Sequence, residues 1–191
     1  MRYQQHQKEA TRQKIIDVAA RLFKVHGTDA TGIATIMAEA GLTNGAFYAH
    51  FTSKEALFEA VIADQLHAQL ETIQKALKNE DGLRHIIDLY LSQEHLVSCA
   101  EGCPSAALLG DISKHMVSSR EAYTTGLKNI THELAKDIED SSHTTQRALA
   151  LVGLLVGTLQ LARTVTDANL AHDILEGGRG AALRLLHNRT T

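Results

Sequence analysis

The chain has 191 residues, of which 44% are apolar and 21% charged, with a single proline and thirteen glycines. This composition is typical of a soluble globular protein and excludes collagen-like and proline-rich disordered classes. No apolar stretch approaches the roughly 18 uncharged residues that span a bilayer, and the polar N-terminus lacks the apolar middle of a secretory signal. We therefore expect a cytoplasmic protein with no membrane partner, in which Cys99 and Cys103 are reduced.

The net charge of −3 is unevenly distributed along the chain. Residues 1–54 carry seven Lys or Arg and only four acidic residues, so the excess of acid lies in the remainder. A basic end on an acidic body is typical of a nucleic-acid-binding module joined to a regulatory domain. The sequence therefore predicts two domains, 1–54 and 55–191.

The first elements of the chain read as three helices. Apolar residues recur at helical spacing from Ile15 to Phe23, and Gly27 follows as a stop signal. A second, shorter apolar stripe covers 33–40 and ends at Gly41. A third helix can begin after Thr43, whose hydroxyl suits an N-cap.

The rest of the chain also follows the helical period. Ser53 reads as the cap of a long helix from Lys54 to about Lys78, which the segment at 79–82 interrupts. Further helices are predicted over about 82–97, 104–116, 118–139, 144–165 and 169–187. No convincing alternating strand pattern appears, so we predict an all-α fold.

Two short helices joined by Gly41-Leu42-Thr43 match the helix-turn-helix geometry, in which the second helix enters the major groove of DNA. The segment "GAFYAHF" contains three of the eight Phe and Tyr residues of the chain. The helical period places the Phe51 side chain in the core. For the Phe47 side chain it leaves two alternatives, the core or the DNA groove. The outward positions carry short or flat groups with hydrogen-bonding tips, at Thr43, Asn44, Ala46, Tyr48 and His50.

The span from about Thr11 to Val61 resembles the DNA-binding domain of the TetR/AcrR family of transcriptional repressors. The matching segments are "ATRQKIIDVAARLFKVHG", "TGIATIMAEAGLTNGAFYAHF" and "SKEALFEAV". The resemblance implies a three-helix DNA-binding domain, joined by a long helix to a C-terminal domain for ligand binding and dimerisation. Gly32 departs from the family pattern, which commonly has Thr at the cap of the second helix.

The resemblance also implies roles for individual residues in binding a double-stranded DNA operator. The groove would be faced by Thr43, Asn44, Gly45 and Phe47, and phosphates would be held by Tyr48, His50 and Lys54, with Thr31 near the backbone on the other side. Asn44 can pair with adenine, whereas phosphate contacts carry affinity that is sensitive to salt. Plain surface positions are the alternative for Tyr48 and His50.

The segments 144–165 and 169–187 are apolar, with small residues that allow helices to approach closely. In the resembled family, the last two long helices form a four-helix interface between two subunits, whereas a buried monomer core is the alternative. The predicted homodimer interface comprises Leu149, Val152, Gly153, Val156, Gly157, Leu159, Gln160, Arg163, Ile174, Gly177, Gly178, Ala181 and Leu185.

The region between 80 and 140 is the expected sensor, and its central helices would enclose a cavity for a small-molecule effector. The predicted lining is Leu66, Leu70, Tyr90, His95, Cys103, Leu108, Ile112, Tyr123, Leu127, Leu155 and Thr158. Pro104 favours the first helical position, so Cys103 would be an N-cap whose thiolate is stabilised by the helix. A thiol sensor using Cys99 and Cys103 is therefore one hypothesis, and two inert buried thiols are the other.

Other functions are less well supported by the residues. None of the eleven histidines lies three or four positions from another, so neither a metal site nor a cofactor is expected. No G-x-S-x-G, P-loop, H-E-x-x-H or CxxC motif appears, which argues against an enzyme. A helical protein-interaction module would not require the polar face around Asn44 and Tyr48. We therefore predict a dimeric, ligand-responsive repressor.

Overall fold

The protein is described here by a computed structural model, which covers residues 2–138 and 143–187. Within these ranges the regular structure is entirely helical, which confirms the predicted fold class. The helices are α1 (Arg2–His26), α2 (Ile33–Glu39), α3 (Asn44–Phe47), α4 (Lys54–Ala76), α5 (Gly82–Tyr90), α6 (Gln93–Val97), α7 (Pro104–Lys114), α8 (Val117–Ala135), α9 (Thr144–Thr164) and α10 (Ala168–His187). The predicted boundary at residue 54 falls at the first residue of α4. The last residue of the predicted helix 118–139 lies outside the described ranges.

The first three helices form a small unit against the start of α4. Gly27, which follows α1, has a φ of 79°, and Gly41, in the turn after α2, has a φ of 65°. Both values lie in the left-handed region, which glycine adopts without strain. The rings of Phe23 and Phe58 meet edge to face at 5.6 Å, which ties α1 to α4. This packing fixes the angle at which α3 is presented to solvent.

The C-terminal helices pack as two pairs. The long helix α4 lies along α8, and α9 lies along α10. Gly126 permits the first contact, because a Cβ there would lie 2.5 Å from Cδ1 of Leu66. Gly178 permits the second, because its Cβ would lie 2.3 Å from Cγ2 of Thr158. In both places a glycine lets the helices approach closely.

The predicted helix over 82–97 is wrong as a single element. The structure has α5 and α6, separated at Leu91 and Ser92. The Ser92 hydroxyl accepts a hydrogen bond from the backbone N–H of His95 at 3.1 Å and so caps α6. A new helix therefore begins after Ser92, although apolar residues continue at helical spacing across this point. Ser53 caps α4 as predicted, whereas Thr43 occupies the N-cap position of α3 without a side-chain capping bond.

In the described part of the chain, one helix, α9, is long and apolar enough to cross a membrane by length and composition. Its buried side includes Leu151, Leu155 and Leu159, which pack inside this chain. Its other side leaves Leu149 and Leu161 about half exposed. Packing on one face and an apolar surface on the other together account for the composition of α9.

Candidate nucleic-acid interface and effector cavity

The polar surface predicted on α3 is exposed. Thr43, Asn44 and Gly45 face solvent at the start of the helix, and Tyr48 is 69% exposed at its end. The Thr43 hydroxyl makes no capping bond, so it remains available to an external partner. A hydroxyl, an amide and a phenol are groups that contact DNA bases and phosphates.

Two of the predicted DNA contacts have buried side chains. Phe47 is fully buried, with its ring 5.2 Å from that of Tyr48 and 5.7 Å from that of Phe51. Its ring is core, and its prediction as a groove-facing residue is wrong. Thr31 is also buried, and its hydroxyl donates to the Gly27 carbonyl at 2.8 Å. That hydroxyl closes the turn between α1 and α2 instead of reaching toward DNA.

A basic rim, composed of Lys8, Arg12 and His50, borders the exposed face of α3. Burial, followed by the positive charges of Lys8 and Arg12, lowers the pKa of His50 below its ordinary value. The guanidinium of Arg12 lies 4.8 Å from the centre of the Phe51 ring, so it is held beside α3. The sequence reasoning missed Lys8 and Arg12, although their i, i+4 spacing on a helix was visible.

Lys54 is the first residue of α4 and is half-buried. Its amino group donates to the Thr28 carbonyl, which places a positive charge at the start of α4. The Ser53 hydroxyl accepts from the Ala56 N–H at 3.0 Å in the same turn. Together with the helix dipole, these groups make the start of α4 favourable for an anion.

A polar network, which we call the Thr28 network, connects this N-terminal unit to α7 and α8. Thr28 donates to the Asp111 carboxylate through its backbone N–H at 2.8 Å and through its hydroxyl at 3.2 Å. His115 Nε2 lies 2.9 Å from the Thr28 hydroxyl. Its Nδ1 lies 2.6 Å from Glu55 Oε2 and donates, because a carboxylate only accepts.

Glu55 is the acceptor at the other end of the Thr28 network. Its second oxygen accepts from the Ser119 hydroxyl at 2.7 Å and from the Met116 N–H at 3.2 Å. Burial alone would raise the pKa of Glu55, but the hydrogen bonds from Ser119 and His115 hold it below its ordinary value. The His115 ring also stacks on Phe58 at 4.2 Å. The first turn of α4 is therefore fastened to α8.

Two adjoining hollows lie among α4, α5, α7, α8 and α9. The inner cavity has a volume of about 30 Å³, and the outer groove has a volume of about 340 Å³. Of the predicted residues, Leu66, Leu127 and Leu155 line the inner cavity and His95 lines the groove. Tyr90 and Cys103 line both, so they form part of the wall between them.

Five predicted lining residues belong to neither hollow: Leu70, Leu108, Ile112, Tyr123 and Thr158. Leu108 and Ile112 are buried in the core, and Thr158 packs on Gly178. The Tyr123 hydroxyl is paired with that of Ser105 at 3.0 Å. Sequence reasoning missed Gln69, Ile73, Ile86 and Ser105, of which the first two follow Leu66 at helical spacing on α4.

Tyr90 is held in a defined orientation at the junction of the hollows. His95 donates from Nδ1 to the Tyr90 carbonyl at 2.8 Å, and its Nε2 accepts the Cys103 N–H at 3.0 Å. This pairing corresponds to a neutral imidazole, and burial, as the main cause, lowers the pKa of His95. The rings of Tyr90 and His95 meet edge to face at 4.7 Å. The phenol oxygen is buried and makes no hydrogen bond of regular geometry in the described structure.

The predicted dimer residues fall into three groups by exposure. Leu149, Gly153, Gly157 and Gly177 are exposed, while Gln160, Ile174, Ala181 and Leu185 are half-buried. Of the others, Val152, Gly178 and Arg163 are also half-buried. Leu159 and Val156 are buried, Val152 lines the inner cavity, and Gly178 packs on Thr158.

Arg163, another residue of the predicted interface, makes hydrogen bonds within this chain. Its guanidinium donates to the carbonyls of Leu96, at 3.1 Å, and His95, at 2.5 Å. The side chain therefore ties α9 to α6 within one chain. Leu161, which the prediction omitted, is 56% exposed on the same ridge as Leu149 and Gly157.

No cluster of three or more potential metal ligands occurs in residues 2–138 and 143–187. The two cysteines are free thiols in the structure. Cys103 is the N-cap of α7, with Pro104 in the first turn, as predicted. The Cys99 thiol donates to the Lys24 carbonyl at 3.1 Å, at the end of α1.

Comparisons with known proteins agree with this geometry. The family model described as "Bacterial regulatory proteins, tetR family" matches residues 15–61. The probable HTH-type transcriptional regulator ArpR of Pseudomonas putida is 39% identical over 75 residues, which cover 39% of this chain and 35% of that protein. The HTH-type transcriptional regulator TtgR, also of P. putida, is 38% identical over 73 residues, or 38% and 34% of the two chains. The chain thus spans about a third of the length of these relatives, whose names describe regulators rather than enzymes.

Solved structures extend the likeness to nearly the whole fold. The reduced form of NemR from E. coli superposes with a TM-score of 0.82 at 19% identity, covering 95% of this chain and 100% of that one. A TetR regulator from Legionella pneumophila gives 0.76 at 21% identity, covering 91% and 95%. At these identities the likeness concerns the fold. With the helix-turn-helix surface and the family match, it leads to one conclusion: residues 15–61 are a DNA-binding domain of the tetR-family type, and the chain as a whole has the fold of TetR-family regulators.

Proposed function

We propose that the protein is a cytoplasmic, dimeric repressor that binds a two-fold-symmetric operator and is released by a small-molecule effector. The observation that carries the proposal is the exposed face of α3, bordered by the basic rim, with Lys54 at the start of the next helix. A helix that binds in the major groove needs polar groups that contact the bases. It also needs positive charge beside them that contacts the phosphates. An interaction module without DNA binding would have no use for this arrangement.

Titration of the protein into labelled DNA from upstream of its own gene tests the proposal. Asn44→Ala should change the preferred base sequence, because the Asn amide can pair with adenine. Tyr48→Phe should weaken binding to all operators similarly, because a phosphate contact carries no sequence information. Binding that is absent, or insensitive to salt, would overturn the proposal. The reverse pattern of the two variants would overturn the assignment of roles.

The basic rim predicts a proton-linked affinity. A phosphate beside His50 favours the imidazolium, whereas burial, followed by the charges of Lys8 and Arg12, opposes it in the free protein. Operator binding should therefore take up a proton, so affinity should increase as pH falls through the ordinary His range near 6.5. His50→Gln should flatten this pH dependence, and the exposed His132→Gln on α8 is the matched control. An unchanged slope in His50→Gln would refute the assignment.

The dimer rests on the exposed small and apolar side of α9 and α10. Gly153, Gly157 and Gly177 have open space where a Cβ would lie, and Leu161 is exposed beside them. A face of this kind allows the helices of a second copy to approach closely, and a two-fold operator requires two readers. Leu161→Glu should produce monomers by sedimentation velocity. The similarly exposed Leu89→Glu on α5 should not, and identical behaviour of the two variants would refute the interface.

The effector would act through the hollows beside α4. An effector that fits better when α4 and α7 are displaced would shift the population away from the DNA-competent arrangement. Near-complete release requires several kcal/mol of preference for that second state. The Thr28 network joins the end of α7 to the start of α4, and it supports this route from cavity to α3.

A thiol sensor is the second candidate, favoured by the position of Cys103 in the wall of both hollows. A peroxide could oxidise the thiols of Cys99 and Cys103 to a disulfide, with water as the reduced product and two thiol S–H bonds lost. Cys103→Ser should then abolish release from DNA by hydrogen peroxide. A variant that still responds fully would eliminate this candidate.

A further inference from the structure

The hollows can also be interpreted by the chemistry of their walls. Thirteen residues line the inner cavity, and none of them is Asp, Glu, Lys, Arg or His. Nine are aliphatic: Leu66, Ile73, Ile86, Leu127, Ile130, Leu134, Val152, Leu155 and Val156. A charged group entering this cavity would lose its hydration without gaining an opposite charge. The lining of the inner cavity therefore favours an uncharged and mainly apolar group at this end of the occupant.

The four remaining lining residues, Gln69, Tyr90, Cys103 and Ser105, are polar, and three of them take part in hydrogen bonds. The Ser105 hydroxyl pairs with that of Tyr123 at 3.0 Å. The Cys103 thiol donates to the Gln69 side-chain oxygen at 3.5 Å. The Tyr90 hydroxyl is buried and makes no hydrogen bond of regular geometry in the described structure; its polar neighbour is the Cys103 thiol, a weak acceptor. A buried hydroxyl without a regular hydrogen bond is costly, so it marks the place where a ligand gains most from a polar atom.

The state of that hydroxyl decides what it can bind. Burial, with a contribution from the neighbouring Cys103, raises the pKa of Tyr90 well above its ordinary value. The phenol therefore keeps its proton at neutral pH and can donate it. The contacts from His95 to the Tyr90 carbonyl and to the Cys103 N–H hold the donor in place.

The space available fits a molecule rather than a water. The groove, of about 340 Å³, shares Gln69, Ile73, Ile86, Tyr90 and Cys103 with the inner cavity. A volume of this size lies at the lower end of those that hold small ligands. A ligand can therefore lie in the groove with one end at the Tyr90 hydroxyl. Glu101 lines the groove and offers the alternative of a cationic ligand.

We propose that the effector is a small, uncharged, mainly apolar molecule with one hydrogen-bond acceptor, such as a carbonyl oxygen, which accepts from the Tyr90 hydroxyl. This inference rests on the proposed effector site and deepens it by naming the ligand class. It makes Tyr90 the residue that determines specificity. It also predicts that matched hydrocarbons, carboxylates and amines are worse ligands than ketones.

The test is calorimetric titration of the intact protein with four related probes: benzylacetone, butylbenzene, hydrocinnamate and phenylbutylamine. The ketone should bind most tightly. Tyr90→Phe should weaken its binding roughly three- to tenfold, since a net hydrogen bond contributes about 1 kcal/mol. The same substitution should leave butylbenzene unchanged or bound more tightly. Tyr123→Phe is the matched control, because its hydroxyl is already paired with Ser105.

Several results would overturn the inference. The first two are tighter binding of the amine or the carboxylate than of the ketone, and equal binding of the ketone and the hydrocarbon. The third is an equal effect of the two Tyr→Phe variants on binding of the ketone. The fourth is the absence of detectable binding of both benzylacetone and the smaller acetophenone. The titration contains no DNA, so its outcome is independent of the repressor proposal. A wild type that fails to bind DNA would refute the proposed function alone.

Discussion

Removal of the Asp111 carboxylate is the most direct test of how the two halves of the chain are joined. Asp111 lies in the last turn of α7 and accepts two hydrogen bonds from Thr28, which is 2% exposed. In Asp111→Ala the buried Thr28 N–H would lose its acceptor. A hydrogen bond to a charged group contributes about 1.5–3 kcal/mol, and a buried group left unpaired costs a similar amount.

The local effects of the same substitution have the opposite sign. Alanine has the higher helix propensity, by about 0.5 kcal/mol. Removing a negative charge from the C-terminal turn of a helix relieves a further 0.3–1 kcal/mol or so of unfavourable dipole interaction. The net expectation is therefore that Asp111→Ala lowers the free energy of unfolding by about 1–2 kcal/mol.

Urea denaturation followed by circular dichroism at pH 7 measures this difference. Ser113→Ala on the same helix is the matched control, because its exposed hydroxyl bonds only to the Gly110 carbonyl within α7 at 2.8 Å. That variant should be as stable as the wild type or slightly more so. If Asp111→Ala also proved as stable as the wild type, the Thr28 network would not connect the two halves energetically.

Two further predictions concern pH and packing. Because hydrogen bonds hold the folded pKa of Glu55 low, its contribution to stability is present above the unfolded pKa and is lost as pH falls through the folded value. When the pH falls below about 4.3, the free energy of unfolding of Glu55→Gln should therefore decrease less than that of the wild type. Urea denaturation at a series of pH values measures this, and an equal decrease in the two proteins would contradict the prediction. Gly178→Ala should destabilise the protein by about 1–2 kcal/mol, as overpacking against Thr158 exceeds the gain in helix propensity. Gly110→Ala, with open space around it, should gain up to about 1 kcal/mol, and equal melting temperatures for the two glycine variants would refute the packing argument.

Local signals made most helices predictable. The apolar period from Ile15 to Phe23 and the Gly27 stop predicted the second half of α1, which begins earlier, at Arg2, and the Pro104 signal predicted the start of α7. Ser53 caps α4 as its position before an apolar run suggested. These features depend on residues within one or two turns of each other, so they can be read without knowing what the helix packs against.

The functional surface was predictable only in part. The exposed positions of Thr43, Asn44 and Tyr48 follow from the helical period. Phe47 lies on a four-residue helix, which is too short for periodicity to assign its face, and packing against the Phe51 ring decides that it is core. Arg12 joins the same surface from α1, at a distance in sequence that no local pattern describes.

By itself, the sequence determined an all-α fold, a helix-turn-helix near the N-terminus and the resemblance of that segment to tetR-family regulators, because each depends on local periodicity and a contiguous motif. Only the tertiary structure decided which side chains share the cavity, which face of α9 remains free, and that Thr28 meets Asp111 across 83 positions. These contacts depend on how helices pack, and packing is set by the shapes of all the side chains at an interface together. The Tyr90 hydroxyl belongs to this second group, since the lack of a regular hydrogen bond is visible only when every neighbour is in place.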